Sequence, residues 1–443
     1  MNIQLSEHFT YKKLLQFILP SVVMMIFTSI YGVVDGLFVS NLVGKTPFAA
    51  LNLIFPVLMI LGAIGFMIGT GGSAIVAMTL GQGRKKEANQ YFSMLVYVTV
   101  LGGVLLAVIG LVTIRPVAGA LGAKGEMLTD CVKYAGILLP AMPAFMLQNV
   151  FQSFLITAQK PKMGLWVTVA AGLTNVMLDA LFIAGFHWGL AGAALATAAS
   201  QVVGGVIPVL YLLRENDSAL RLTKAGFYGR ILLKTCTNGS SELLTNISMS
   251  LVNILYNFQL LRLAGENGVA AFGVIMYANF IFVAMFLGYS LGCAPIIAYH
   301  FGAKNEPELK NLYQKSLRIL GAAGVIMTVL AEILASVLAR IFVGYDPTLY
   351  AMTCRGFRLY AISFLLCGLN IFGSAFFTAL NNGAVSAILS FLRTLVFQIV
   401  AVLLLPLIWG TDGIWLAIVA AELLAFGVTI GFFVKMKGRY HYA

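Results

Sequence analysis

Residues 48–83 read FAALNLIFPVLMILGAIGFMIGTGGSAIVAMTLGQG, without one charged side chain, and Arg84, Lys85 and Lys86 follow at once. About 20 apolar residues in an α-helix cross a bilayer, so this stretch spans one with length to spare for tilt or a bend. Shifted by 221 residues, the pattern returns over 269–304. Ala49-Ala50 meet Ala270-Ala271, Gly71 meets Gly292 and Gly81 meets Gly302. A second span with the same glycines, half a chain away, reads as a duplicated bundle of membrane helices.

The shift holds without a gap along the chain. Gly44 meets Gly265, Glu87 meets Glu308, Ser153 meets Ser374 and Thr157-Ala158 meet Thr378-Ala379. Late in each unit, Gly189, Gly192 and Leu195-Ala196 meet Gly410, Gly413 and Leu416-Ala417. Apolar spans lie near 14–40, 48–79, 91–114, 132–156, 163–186 and 190–213. The second set lies near 234–261, 269–299, 312–339, 355–379, 384–408 and 412–434. Six is an even number, so both units enter the membrane in the same direction, a parallel repeat about an axis normal to the bilayer. The expected fold is an all-α polytopic membrane protein: twelve transmembrane helices in two parallel-repeat six-helix lobes around a central cavity. The lobes are expected at 1–213 and 234–443, joined by the only long polar connector, residues 214–233. Transporters of this design rock one lobe against the other, although channels use repeats as well.

Composition points the same way. Only 10% of the 443 residues are charged, 60% are hydrophobic and mean hydropathy is +0.94, where a soluble domain carries about 25% charged residues. Met1–Lys13 is polar and the first apolar stretch is too long for a signal-peptide core, so the first span is expected to stay in the mature protein. The net charge of +12 follows the positive-inside rule rather than a nucleic-acid partner. With the N-terminus cytoplasmic, 19 of the 28 basic residues fall in cytoplasmic segments and eight at most on the other side, while Arg393 lies inside a span. Both termini are thus expected in the cytoplasm, in a multi-pass protein of the cell membrane whose surroundings are lipid. The five cysteines have no metal-type spacing and read as small core residues. His8, His187, His300 and His441 lie near ends or loops, and no HExxH, CxxC or Walker motif occurs. Gly69-Thr70-Gly71-Gly72-Ser73 has no lysine after it and reads as close helix packing. An enzyme, an ATP-driven pump and a cofactor are therefore not expected.

An acid inside a span costs about 2.5–3.5 kcal/mol even on the lenient insertion scale, so each of Asp35, Asp179, Glu242, Glu332 and Glu422 asks for a reason. Asp35 shares a helix face with Tyr31, and Asp179 with Asn175. Asn149, Gln148 and Gln152 supply amides on the fourth span and Thr197 a hydroxyl on the sixth. Two carboxylates among hard oxygen donors can hold Na⁺ or share a proton, with Asp35, Asn175 and Asp179 as the Na⁺ candidates. Under the shift Asp35 becomes Tyr256 and Asp179 becomes Val400. The scaffold is duplicated and the acids are not, which favours a function for this cluster over a structural hydrogen bond. Glu242 opens the seventh span near its cytoplasmic end, with Asn246, Asn253 and Asn257 roughly along one face. With Tyr256 and Gln152 these are candidates for substrate contact or gating, against the reading of an interfacial acid. Glu332 and Glu422 lack polar companions at helical spacing and read as structural or peripheral, and Arg393 is open as a partner of either. Met and aromatic side chains suit a pliable pocket for flat lipophilic cations. Pro20, fifteen residues before Asp35 on the same span, reads as a hinge or as a static kink.

The run Tyr31-Gly-Val-Val-Asp35, then Gly44, Ala49-Ala50-Leu51, Pro56, Gly71-Gly72-Ser73 and Leu80-Gly81-Gln82-Gly83, resembles the multidrug and toxic compound extrusion (MATE) transporters. The matching run through Gly302 does so too. Within the family the likeness is to the prokaryotic branch of DNA-damage-inducible and staphylococcal-type multidrug exporters. The resemblance implies a monomeric antiporter of lipophilic organic cations against H⁺ or Na⁺. It also implies a cation site in the N-lobe at Asp35, Asn149, Asn175, Asp179 and Thr197 beside Tyr31, bending at Pro20, and a seventh-helix glutamate at Glu242. One branch of the family carries an acid on the tenth helix, yet residues 354–378 hold no Asp or Glu. Two rivals stand beside this reading. A flippase or exporter of lipid-linked or other anionic substrate would want cavity-facing Arg or Lys. A passive channel would conduct without a coupled ion.

Overall fold

The computed structural model describes residues 3–43 and 45–443, and the described residues are helical almost throughout, with no strand among them. The first lobe holds α1 (Tyr11–Leu42), α2 (Lys45–Gly81), α3 (Lys85–Ala120), α4 (Gly125–Leu138), α5 (Met142–Thr157), α6 (Pro161–Asp179) and α7 (Gly189–Leu213). The second holds α8 (Gly229–Gly302), α9 (Glu306–Val343), α10 (Pro347–Ala361), α11 (Phe364–Ala379), α12 (Gly383–Phe391), α13 (Phe397–Trp409) and α14 (Thr411–Tyr440). Ten stretches are long and apolar enough to cross a membrane, and the bent pair α10 and α11, 49° apart, is an eleventh. Because α8 carries two spans, the total is twelve. These two break at Gly265, where φ 63° and ψ −153° suit a residue without Cβ. Gly44, its partner under the shift, lies outside the described residues.

Local chemistry sets the other breaks. Pro140 and Pro143 remove backbone donors, and a 3₁₀ turn, Leu139–Ala141, joins α4 to α5 there. The fifth and eleventh spans each contain a π-helical turn, Ala180–Gly185 after α6 and Leu392–Val396 between α12 and α13. Two expectations are corrected. Helix α8 starts at Gly229, so the last residues assigned to the interlobe link are already helical. Glu242 consequently lies thirteen residues, about 20 Å, inside its helix and not at its opening. The polar side chains of Arg230, Lys234 and Asn238 hid the start of the helix, since no apolar run marks it.

The lobes meet where α1 and α2 pack on α8. A Cβ built on Gly81 would lie 2.0 Å from the Tyr299 carbonyl oxygen, and one on Gly302 would lie 2.1 Å from that of Met78. Positions 78 and 299, like 81 and 302, are related by the shift of 221, so this backbone contact repeats itself about the pseudo-twofold axis. Nearby, a Cβ on Gly239 would meet the Met67 carbonyl at 1.9 Å and one on Gly71 that of Thr235 at 2.2 Å. The Asn238 amide donates across the same seam to the Gly71 carbonyl (3.4 Å) and, within its own lobe, to that of Thr378 (2.9 Å). All these contacts lie at the end of the bundle that bears the N-terminus, the interlobe link and the C-terminus, and there the lobes are closed.

Two straps cover that end. Residues 5–9 pack on the start of α9: Leu5 and Phe9 are buried, and Glu308 accepts from His8 Nδ1 (2.5 Å), the Phe9 amide (2.9 Å) and Asn311 (2.8 Å). The link packs on the start of α3, where Asn89 Oδ1 accepts from the Arg221 amide (3.1 Å) and Ser93 Oγ from that of Thr223 (2.8 Å). In the link, the Lys160 ammonium 2.8 Å from Asp217 holds that carboxyl below the usual carboxylate range.

The glycine seam admits a direct test. Gly302→Val forces a side chain into the Met78 carbonyl, and overpacking of this kind costs about 1–3 kcal/mol. Thermal stability of the purified protein should fall, and Cys236, half-buried beside the seam, should react faster with a maleimide. Unchanged melting and labelling would remove the seam from the list of contacts that set the lobe arrangement.

Candidate functional site

Four helices of the first lobe bring oxygen atoms together. Asp35 projects from α1, Asn175 and Asp179 from α6, Thr197 from α7 and Tyr134 from α4. The carboxyl groups of Asp35 and Asp179 adjoin, with the Asn175 side chain next to Asp35. Asn175 Nδ2 donates to Thr197 Oγ1 at 3.5 Å, and the Tyr134 hydroxyl sits beside Thr197, facing both acids. Asp179 is fully buried, and Asn175 and Tyr134 nearly so. Asp35 Oδ1, Asn175 Oδ1 and both carboxyl oxygens of Asp179 are buried with no hydrogen-bond partner. No basic side chain is among the groups acting on either acid. A π-helical turn follows Asp179 directly, and such turns recur at functional sites because they re-aim side chains and loosen the hydrogen-bond ladder.

The other expected residues divide. Tyr31, a turn before Asp35, hydrogen-bonds to Gln148 and feels the Asp35 charge. Asn149 turns instead to α2, where its Nδ2 donates to the buried Gly62 carbonyl at 3.3 Å. Gln152 faces a small cavity between α5, α6 and α7, shared with Gln148 and Thr168. On α8, Asn246 donates to the Glu242 carbonyl (2.8 Å), Asn253 is exposed, and Tyr256 is buried with its ring stacked on Phe272 at 4.9 Å. Pro20 sits within an α1 that runs on as helix past it. Tyr134 was absent from the sequence expectations. Its one acidic neighbour at helical spacing, Asp130, lies near the start of α4, so the sequence gives no link to Asp35 or Asp179 until α4 is packed against α7.

A second polar cluster lies in the other lobe, where Arg393, open from the sequence as a partner of Glu332 or Glu422, takes Glu422. Arg393, in the π-helical turn of the eleventh span, binds Glu422 of α14 with Nε at 2.8 Å from Oε1 and a terminal nitrogen also at 2.8 Å. Asn370 Nδ2 donates to Glu422 Oε2 (2.7 Å), Thr429 Oγ1 donates to Asn370 Oδ1 (3.2 Å), and Arg393 reaches Cys367 Sγ at 3.3 Å. Glu242 and Tyr360 interact electrostatically with Arg393, and Tyr256 with Glu422. Glu332, by contrast, is a loosely held partner of Arg358 at 4.0 Å, both half-exposed or more.

A family model described as MatE matches residues 20–181 and again residues 243–404. This chain belongs to the MATE family. It is therefore a transporter that crosses the membrane many times. It is similar to the multidrug export protein MepA of Staphylococcus haemolyticus, at 23% identity over 95% of this chain and 92% of that protein. It is as similar to MepA of Staphylococcus aureus strain MRSA252, at 23% identity over 94% and 92%. Among solved structures, a MATE transporter in the straight conformation matches with a TM-score of 0.93 at 24% identity, over 99% of this chain and 98% of that one.

The two clusters predict opposite stability responses. Arg393→Met leaves a buried carboxylate uncompensated and should destabilise by about 3–5 kcal/mol, with Arg393→Met/Glu422→Met recovering most of the loss. Asp179→Asn removes an acid without a counter-charge and should melt no lower than the parent. Differential scanning fluorimetry in detergent reads all three, and a lower melting point for Asp179→Asn would show that this acid is structural.

Proposed function

We propose that this MATE transporter exports lipophilic organic cations across the cell membrane in exchange for H⁺ or Na⁺, by alternating access of the two lobes. The observation that carries the reading is the Asp35–Asp179 pair: two adjoining carboxyls inside the lobe, with Asp35 Oδ1 and both Asp179 oxygens buried without a hydrogen-bond partner and no basic side chain among the described groups acting on them. Two like charges in so dry a place repel, so a proton or Na⁺ entering there is drawn in strongly. Asn175, Thr197 and Tyr134 offer it further oxygens. Binding removes the repulsion and lets α1 and α6 pack differently; α1 lies on α8 of the other lobe, and in this reading Pro20 gives it a place to flex. With both termini cytoplasmic, the closed seam is the cytoplasmic gate, so the described arrangement opens outward, where the ion enters and the substrate leaves. The similar proteins are multidrug exporters, which supports a drug-like substrate, and the acids Asp35, Asp179 and Glu242 favour a cationic one, with Asn246 and the aromatic surface of α8 as contact candidates.

The deep basic residue that an anionic substrate would require is Arg393, and Glu422 already neutralises it. That pairing weighs against a flippase of anionic lipid-linked substrate.

In proteoliposomes, an imposed pH or Na⁺ gradient should drive ethidium against its concentration gradient, and the gradient that works names the ion. Asp35→Asn should abolish coupled uptake at equal protein density. Because Gly302→Val loosens the gate without touching the acids, it should uncouple rather than abolish, collapsing the ion gradient faster than substrate moves. Coupled transport that survives Asp35→Asn would disprove the proposed route.

A further inference from the structure

The second lobe contains nearly the oxygen inventory of the first. The first has two carboxylates (Asp35, Asp179), an asparagine (Asn175), a threonine (Thr197) and a tyrosine (Tyr134). The second has two carboxylates (Glu242, Glu422), an asparagine (Asn370), a threonine (Thr429) and a tyrosine (Tyr256). Only Asp35 and Tyr256 are related by the shift of 221, and they are unlike residues, so the likeness is not a relic of duplication. The difference is Arg393, whose guanidinium binds Glu422 at 2.8 Å and interacts electrostatically with Glu242.

We propose that this cluster is a second monovalent-cation site, and that Arg393 is the cation tethered in it. The geometry around Glu422 is that of a ligand shell. Oε1 faces the guanidinium, Oε2 is fixed by Asn370, and Asn370 is itself oriented by Thr429. Glu422, Asn370 and Thr429 are each at least nine-tenths buried, so the carboxylate is aimed before any cation arrives. The Tyr256 hydroxyl, from a side chain 3% exposed, is buried without a hydrogen-bond partner while acting electrostatically on Glu422. A buried polar group left unsatisfied is costly, and it has a use here as an oxygen for a cation at this place. The π-helical turn at Leu392–Val396 is what lets Arg393 project inward. Such a turn, destabilising by itself, persists where function holds it.

The charge count gives the arrangement its meaning. With Arg393 bound to it, Glu422 has its counter-charge within the chain and calls for no ion from solution. The second lobe thus needs no coupling ion, whereas the first lobe, with no cation of its own, does. Removing Arg393 should convert the tethered site into an exchangeable one, open to a small guanidinium or ammonium ion.

The test uses full-length protein in detergent and methylguanidinium as the probe. Arg393→Ala should melt well below the parent, and millimolar methylguanidinium should restore most of that loss, while choline chloride at equal ionic strength, too bulky for the place, should not. Arg393→Ala/Glu422→Gln, which lacks the fixed carboxylate, should show no such protection, nor should the parent. If Arg393→Ala does not survive extraction, the same comparison is made on its yield in membranes from cells grown with and without methylguanidinium. Absence of rescue, or equal rescue of the double variant, overturns the proposal. Because the readout is binding, an Asp35→Asn protein that still transports would overturn the first-lobe reading and leave this result untouched.

Discussion

A carboxylate held away from water inside a membrane must be compensated, and the protein meets that demand differently in its two halves. Moving an isolated ion from water into a medium of low dielectric is so costly that the group must pair, bind a cation or take up a proton. In the second lobe a guanidinium at 2.8 Å meets the demand within the chain. In the first lobe no basic side chain among the described residues acts on Asp35 or Asp179, and Asp179 is fully buried with neither oxygen hydrogen-bonded. An unmet electrostatic demand in one lobe is what a transporter needs if an external ion is to change its shape, because a ligand shifts an equilibrium only by its differential affinity for the two states.

The change of shape needs a surface on which to act, and the glycine seam is that surface. Backbones approach there so closely that no side chain fits at Gly81, Gly302, Gly71 or Gly239. Membrane helices associate without a hydrophobic drive, so contact between small residues and interhelical hydrogen bonds carry much of the association. The seam combines close backbone contact, one amide bond from Asn238 to Gly71, and an apolar cluster in which Phe17, Ile18, Ala74 and Ala77 of the first lobe pack with Ile296 and Ile297 of the second. The straps over α3 and α9 add a few hydrogen bonds to an exposed end and one buried acid, Glu308.

Much of this was legible in the sequence, for reasons that differ from residue to residue. Twelve apolar runs and the constant shift were enough for the architecture, because lipid admits few alternatives to helices and loop glycines seldom repeat by accident. Asp35, Asn175 and Asp179 were legible because an acid in a span advertises itself and Asn175 sits a helical turn from Asp179, whereas Thr197, on another helix, joined them through the family resemblance. Asn149 shows the limit of that method: a side-chain amide on a buried helix can satisfy a carbonyl as well as an ion, and Gly62 took it. Tyr134, and the network joining Arg393, Glu422 and Asn370, were not legible. Their members lie on different helices at no fixed spacing, and only packing brings them within 3 Å. One signal was present all the same: an arginine inside a span demands an acid, and Glu422 was an acid inside the next span without a companion.

Duplication explains why the backbone is symmetric and the chemistry is not. Asn149 and Asn370 are the same position under the shift, on equivalent helices and equally buried. One donates to a backbone carbonyl and the other holds a carboxylate. The carbonyl contacts at Gly81 and Gly302 could not diverge in this way, because each half of the seam is the other's template and any added atom collides with a backbone. Polar side chains inside a lobe face no such constraint, since they touch only their own lobe. Once the two copies were fused, the first could keep an acid pair open to an external ion while the second acquired a guanidinium that closes its equivalent. A transporter of two identical lobes would present two such demands at once, and a single ion would leave one of them unmet; tethering a cation in one lobe makes the state of the other decisive.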